Sequence, residues 1–148
     1  MSDTDTPQAG EFWLEVLALP VSDVDRAKAF YESLGWRMDI DFEPAPGVRV
    51  VQFTPTGSRC SISFGHGFIK AEPGSVERLE VAVHDIEAAR DELIGHGVEV
   101  GEIYHMGEGG PVPGPDPDHT SYNSYAEFND PDGNGWLLQE IRERLPGR

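Results

Sequence analysis

Leu17-Ala18-Leu19-Pro20-Val21-Ser22-Asp23-Val24-Asp25-Arg26-Ala27-Lys28-Ala29-Phe30-Tyr31-Glu32-Ser33-Leu34-Gly35-Trp36 is the stretch that decides the fold, because the chain repeats it. Moved 62 positions on, it lies without a gap over Leu79-Glu80-Val81-Ala82-Val83-His84-Asp85-Ile86-Glu87-Ala88-Ala89-Arg90 and ends at Gly97-Val98. Leu17 meets Leu79, Val21 meets Val83, Asp23 meets Asp85, Ala27 meets Ala89 and Gly35 meets Gly97. A chain that repeats itself in this way contains two copies of one supersecondary unit.

The unit reads as strand then helix. Leu17, Leu19 and Val21 alternate with Ala18 and Pro20, and Leu79, Val81 and Val83 alternate with Glu80 and Ala82, so each is a strand with one buried face. Asp23 and Asp85 stand where a short carboxylate can accept from the first free N–H groups of a helix. Val24, Ala27, Tyr31 and Leu34, and Ile86, Ala89 and Leu93, then recur at helical spacing. Gly35 and Gly97 end the helices as residues free to take positive φ. Further alternating runs follow at 37–42, 48–53 and 60–64, giving the order β-α-β-β-β. The second copy repeats it, with a strand near 77–83, a helix at 85–96, strands at 98–104, 122–128 and 136–141, and a Gly/Pro-rich loop between 107 and 120.

The chain therefore divides into a disordered N-terminus (1–10), a first module (11–66), a linker (67–76), a second module with the long loop 107–120 (77–142) and a loose polar tail (143–148). No apolar run is long enough to span a membrane and no signal peptide is evident. The single cysteine, Cys60, excludes an internal disulfide, suits a reducing cytoplasm and reads as a buried core thiol. Net charge is −16, from 27 acidic and 11 basic residues, and such a surface repels nucleic acid and anionic lipid. The same acidity reads either as solubility or as attraction for a cationic guest.

The paired modules, the Val-x-Asp helix entries, Ala29-Phe30-Tyr31-Glu32-Ser33-Leu34-Gly35-Trp36 and the closing Phe128-Asn129-Asp130-Pro131-Asp132-Gly133-Asn134-Gly135-Trp136-Leu137-Leu138-Gln139-Glu140 resemble the vicinal oxygen chelate superfamily, the group of glyoxalases, bleomycin-resistance proteins and extradiol dioxygenases. The resemblance covers residues 13–141. It implies an α+β fold in which two β-α-β-β-β modules form a cupped, half-barrel mixed sheet with helices outside, and it implies a homodimer. Enzymes of the group hold a divalent metal with one side chain from each of four strands. Carried onto this sequence, those positions are Val16, Ser63, Arg78 and Leu137.

None of these four is a usual metal ligand. Val16 and Leu137 carry no lone pair and Ser63 is a weak neutral donor. At ~4 Å and an effective dielectric of ~20, a dication and the Arg78 guanidinium would repel by roughly 8 kcal/mol. No metal and no other cofactor is expected. The cup face set by alternation then shows Val16, Ala18, Ser61, Ser63, Arg78, Glu80, Leu137 and Gln139, with His105, His119 and Tyr122 added from the long loop and its flanks. Arg78 and Glu80 share a strand face, either as a recognition element or as a pair satisfying each other. Trp13, Tyr122 and Tyr125 wall a pocket or belong to the core. Asp130 and Asp132 read as turn residues.

Three functions fit. The first is a metal-free cup that binds a small organic molecule, as in drug or metabolite sequestration. The second is a metal-independent lyase or isomerase with Glu80 or His119 as general base and Arg78 holding an oxyanion. The third keeps a metal through residues such as His105, His119 or Glu80, as a glyoxalase or dioxygenase with non-standard ligands. A cup filled by its own side chains would leave only an interaction protein.

Overall fold

The computed structural model describes residues 5–148, so the first four residues of the segment expected to be disordered (1–10) lie outside the described residues. The element order is β1 (Val16–Ala18), α1 (Val24–Ser33), β2 (Arg37–Ala45), β3 (Val48–Thr54), β4 (Ser61–His66), β5 (Leu79–Val83), α2 (Ile86–Gly95), β6 (Tyr104–Gly107), β7 (Gly110–Pro113), β8 (Tyr125–Asn129) and β9 (Gly135–Glu140). They form two mixed sheets ordered β1-β4-β3-β2 and β5-β9-β8-β6-β7. In each, the first strand of the module lies parallel to the last, and the remaining pairs are antiparallel. Neither sheet closes into a barrel. The fold is α+β.

Both helices begin as their sequences dictate. Asp23 accepts from the Arg26 N–H at 3.0 Å and Asp85 from the Ala88 N–H at 3.1 Å, each satisfying a donor that the helix itself leaves free. Beyond the helix ends, Gly35 and Gly97 have φ of 81° and 88°, the left-handed conformation that a side chain disfavours.

Register decides which residues share a face. Leu17 stands beside Ile62 and Phe53 beside Ile62, while Leu79 stands beside Trp136 and Val81 beside Leu138. All of these but Leu17, with Leu19, Val51, Phe64 and Phe128, pack into one core that runs through both modules. Tyr31 of α1 is at its centre, fully buried and in ring contact with Phe53 and Phe64 of its own module and Trp136 of the other. The opposite faces pair Val16 with Ser61, Ala18 with Ser63, Glu80 with Leu137 and Ala82 with Gln139.

The turn after β8 locks the modules together. Asp130 Oδ1 accepts the N–H groups of Asp132 (3.0 Å) and Asn134 (2.9 Å), a local turn bond, but Oδ2 accepts the Tyr31 hydroxyl at 2.9 Å. That hydroxyl accepts in turn from Trp136 Nε1 at 3.0 Å. Asn134 Nδ2 donates to Pro20 O at 2.8 Å, and Asp132 holds Ser22 (2.6 Å) and Arg26 (3.1 Å). Burial pushes the Tyr31 phenol far above its ordinary pKa, so it remains a proton donor.

Three local features differ from the pattern read in the sequence. The run 98–104 is not a full strand: Val100 makes one isolated bridge to Phe128, and Arg90 caps the carbonyls of Val100 and Gly101 with its guanidinium. Part of the expected loop 107–120 is the β6–β7 hairpin, whose Pro111 and Pro113 sit in an edge strand where a missing N–H costs nothing. The tail is tied down, since Arg142 and Glu143 donate their N–H groups to Ser121 Oγ (2.8 Å each) and Leu145 donates its own to the Tyr122 hydroxyl at 3.2 Å. No helix among the described residues is long and apolar enough to cross a membrane.

Candidate binding cleft between the modules

A cleft of about 620 Å³ opens where the β1 edge of the first sheet faces the β5 edge of the second. Its floor is apolar, from Leu17 and Ile62 on one side and Leu79, Val81 and Trp136 on the other. Its polar groups are Ser61, Glu80, Tyr122 and Gln139, with the turn 55–58 at one lip. The segment after β9 supplies a further wall through Ile141, Arg144, Leu145 and Arg148.

Each polar group is held. Ser61 is buried, with its hydroxyl 2.7 Å from that of Thr54, which donates to Asp39. Burial works to raise the Asp39 pKa, but hydrogen bonds from Thr54, Arg37 and Gln52 outweigh it and keep the carboxylate below its ordinary value. Glu80 accepts from Arg78 Nε at 3.0 Å. Gln139 Nε2 and the Tyr125 hydroxyl both donate to the Tyr122 carbonyl, at 3.1 and 2.5 Å.

Tyr122 reaches the cleft from a strained backbone, with φ of 72°; His119, in the same loop, has φ of 52°. Positive φ is uncommon outside glycine, and it persists only where surrounding bonds enforce it. Here Tyr122 N–H donates to Glu140 O at 2.9 Å, and His119 Nδ1 lies 3.0 Å from Glu140 Oε1. Glu140 is fully buried and also accepts from the Ile86 N–H at 3.0 Å. At the other end of the loop, Asp116 accepts from the Asp118 N–H at 3.0 Å, from Thr120 and from Asn123 at 3.2 Å; these bonds lower its pKa to about 2.

The residues singled out in the sequence separate into groups. Ser61, Glu80, Tyr122 and Gln139 meet in the cleft. Arg78 and Leu137 do not line it and border instead a second cavity, of about 750 Å³, between Phe30 of α1 and the ends of β8 and β9, whose lining includes residues 97–101 and 127–131. Val16, Ala18 and Ser63 share a face of the first sheet with Ser61 but do not line the cleft; Val16 and Ala18 are exposed and Ser63 is buried. His105 donates from Nδ1 to the Gly114 carbonyl at 2.7 Å. His119 faces Glu140, on the opposite face of β9 from Gln139, and so points away from the cleft. Trp13 lies under the Arg59 guanidinium, 5.0 Å from its ring centre, and Tyr125 stacks on Tyr104 at 5.3 Å.

Sequence reasoning missed the floor and the tail wall. Ile62, Leu79 and Val81 do pack with the core, as read, while Leu17 is half-buried outside it; all four also line the cleft, which alternation along a single strand cannot show. Cys60 read as buried core but is half-buried at the cleft, donating weakly to Ser61 O at 3.6 Å. Burial and then the Glu15 charge push its thiol pKa up, which leaves it a poor nucleophile at neutral pH. In the tail, Leu145 among arginines was the available signal.

The residues at the family's four metal positions do not fit a divalent ion. Val16 and Leu137 are hydrocarbon, Ser63 is a neutral hydroxyl, and the Arg78 cation is already paired with Glu80. Among the described residues no three His, Cys, Asp or Glu side chains gather in a group that could hold one.

Comparison with known proteins agrees with this geometry. The family model described as Glyoxalase/Bleomycin resistance protein/Dioxygenase superfamily matches residues 13–138. TnmS3, an antibiotic binding protein from Streptomyces sp. CB03234, is 28% identical with a TM-score of 0.69, over 90% of this chain and 99% of that one. A glyoxalase/bleomycin resistance protein from the same strain is 30% identical with a TM-score of 0.64, over 85% and 98%. A superfamily member from Sphaerobacter thermophilus DSM 20745 is 25% identical with a TM-score of 0.67, over 88% and 98%. No curated protein matches the chain significantly. On its fold, its closing motif and this family match, the chain belongs to the glyoxalase/bleomycin resistance protein/dioxygenase superfamily, as a member without the group's usual metal ligands.

Proposed function

We propose that this chain binds a small organic molecule in the cleft between its modules and needs no metal to do so. The observation that carries the reading is the cleft itself: about 620 Å³, apolar along its floor, with a few polar groups fixed at its sides. That size and make-up suit a drug-sized guest. The likeness to an antibiotic binding protein at 28% identity supports antibiotic or metabolite sequestration as the role. Calorimetric titration of a panel of apolar, ring-bearing antibiotics should give at least one saturable one-to-one heat. Ala82→Trp, which fills the cleft from an exposed strand position, should weaken that binding at least tenfold; unchanged affinity would move the guest elsewhere.

A second reading, a metal-independent lyase or isomerase, draws on the Glu80 carboxylate standing in the cleft beside Arg78. A general base needs an acceptor at the reacting proton and a neighbour for the developing oxyanion, and this pair offers both. Glu80→Gln should then abolish turnover of any substrate found while leaving its binding in place. Turnover equal to the parent's would dismiss Glu80 as the base.

A homodimer is part of the proposal. Val16, Ile40 and Phe42 are 41%, 37% and 48% exposed, and the register brings them to one face of the first sheet. Three exposed apolar side chains on one sheet face, among polar neighbours such as Gln52 and Ser63, favour burial against a second copy. Sedimentation at micromolar concentration should give twice the mass of one chain; a single-chain mass would exclude it.

A further inference from the structure

Most of the chain's few basic side chains are neutralised: Arg26, Lys28, Arg37, Arg49, Arg78 and Arg90 each sit within 4 Å of a carboxylate. Arg142 likewise reaches Glu140 at 3.5 Å. Arg144 and Arg148 are different. Both line the cleft, both are exposed, and among the described residues neither has a carboxylate within ion-pair distance. With 27 acidic side chains available, two guanidinium groups left unpaired at one cavity are a local reversal of the protein's field.

The rest of the lining agrees with that sign. Among the described residues Glu80 is the one acidic side chain that lines the cleft, and it is bonded to Arg78 at 3.0 Å. The Tyr122 hydroxyl accepts from the Leu145 N–H at 3.2 Å, which leaves its own proton available to a guest. The segment that carries both arginines is fixed in place by that bond and by the bonds of residues 142 and 143 to Ser121. The lining thus combines an apolar set, Leu17, Ile62, Val81 and Trp136, with the two arginines.

We infer that the guest is an apolar organic anion, a hydrocarbon or aromatic skeleton carrying one carboxylate, sulfonate or phosphate group, with Arg144 and Arg148 holding the anion and the floor holding the skeleton. This rests on the proposed binding role and narrows it. It runs against the cationic guest suggested by the overall charge, because a contact charge acts at a few ångströms while the surface field is screened over about 8 Å at physiological salt. Guanidinium groups suit the task, being always charged and able to grip an oxyanion through two N–H groups.

Two probes of nearly the same skeleton provide the test: 1-anilinonaphthalene-8-sulfonate, an anion, and N-phenyl-1-naphthylamine, which is neutral. Both are titrated by fluorescence into the full chain at physiological salt, where the surface field is screened, and their affinities are compared as a ratio. The parent should prefer the anion. Arg144→Gln combined with Arg148→Gln should reduce that preference at least tenfold, and Arg144→Lys with Arg148→Lys should retain most of it. If Ala82→Trp blocks both probes but the preference is absent or survives the glutamine variant, the guest is not selected as an anion and only this inference falls. If Ala82→Trp blocks neither probe, the cleft is not the binding site and the proposed role falls with it.

Discussion

Replacing Asp130 by Ala should lower the unfolding free energy by about 3–5 kcal/mol, more than a surface turn residue could account for. The carboxylate is 5% exposed and its four bonds lie at two levels of structure. Bonds to the N–H groups of Asp132 and Asn134 shape the turn, and water could in part replace them. Those to the Tyr31 hydroxyl and Asn134 Nδ2 lie in the core between the modules, where water cannot. Each buried donor left without an acceptor costs roughly 1–3 kcal/mol, and this substitution leaves two of them. Equilibrium urea unfolding measures the effect. A loss below about 1 kcal/mol would mean that apolar packing alone joins the modules.

The second large effect should come from Glu140→Leu, at about 2–4 kcal/mol, although the replacement is apolar and close in size. Glu140 is fully buried, and it serves the Ile86 N–H at the start of α2, the His119 ring and the edge of the Arg142 guanidinium at once. Leucine removes every acceptor and leaves the helix start and the imidazole facing hydrocarbon. Glu140→Gln keeps one carbonyl oxygen and should cost less than half as much. The loop 119–122 depends on the same carboxylate, so backbone amide exchange there should accelerate in Glu140→Leu well beyond the global change. Uniform acceleration across the chain would show that the loop is held by other contacts.

The sequence was legible wherever physics repeats at short range. Asp23 and Asp85 announced two helix starts, Gly35 and Gly97 two helix ends, and alternation picked out Ile62 and Phe64 of β4 and Leu79 and Val81 of β5, which pack with the core. What depends on the meeting of distant segments was not legible. Asp130 reads as a turn residue because its local bonds are encoded nearby, while its bond to Tyr31 spans 99 positions. Glu140 looks like the last polar residue of a strand until α2 and the loop carrying His119 arrive on the same side of the sheet. The cleft lies at a seam, and a seam between modules has no periodicity of its own. Its tail wall was hidden because a short polar run reads as solvent-exposed until Ser121 and Tyr122 capture its amides.

The repeat is not symmetrical where the halves touch. Tyr31 falls opposite Leu93 in the duplicated sequence, so only the first helix offers this hydroxyl, and only the second half has Asp130 to accept from it and Trp136 to donate to it. The two halves are thereby unlike parts, each keyed to the other. Separately expressed, either would bare a broad aromatic surface to water, and the expected product is aggregate rather than a miniature of the parent.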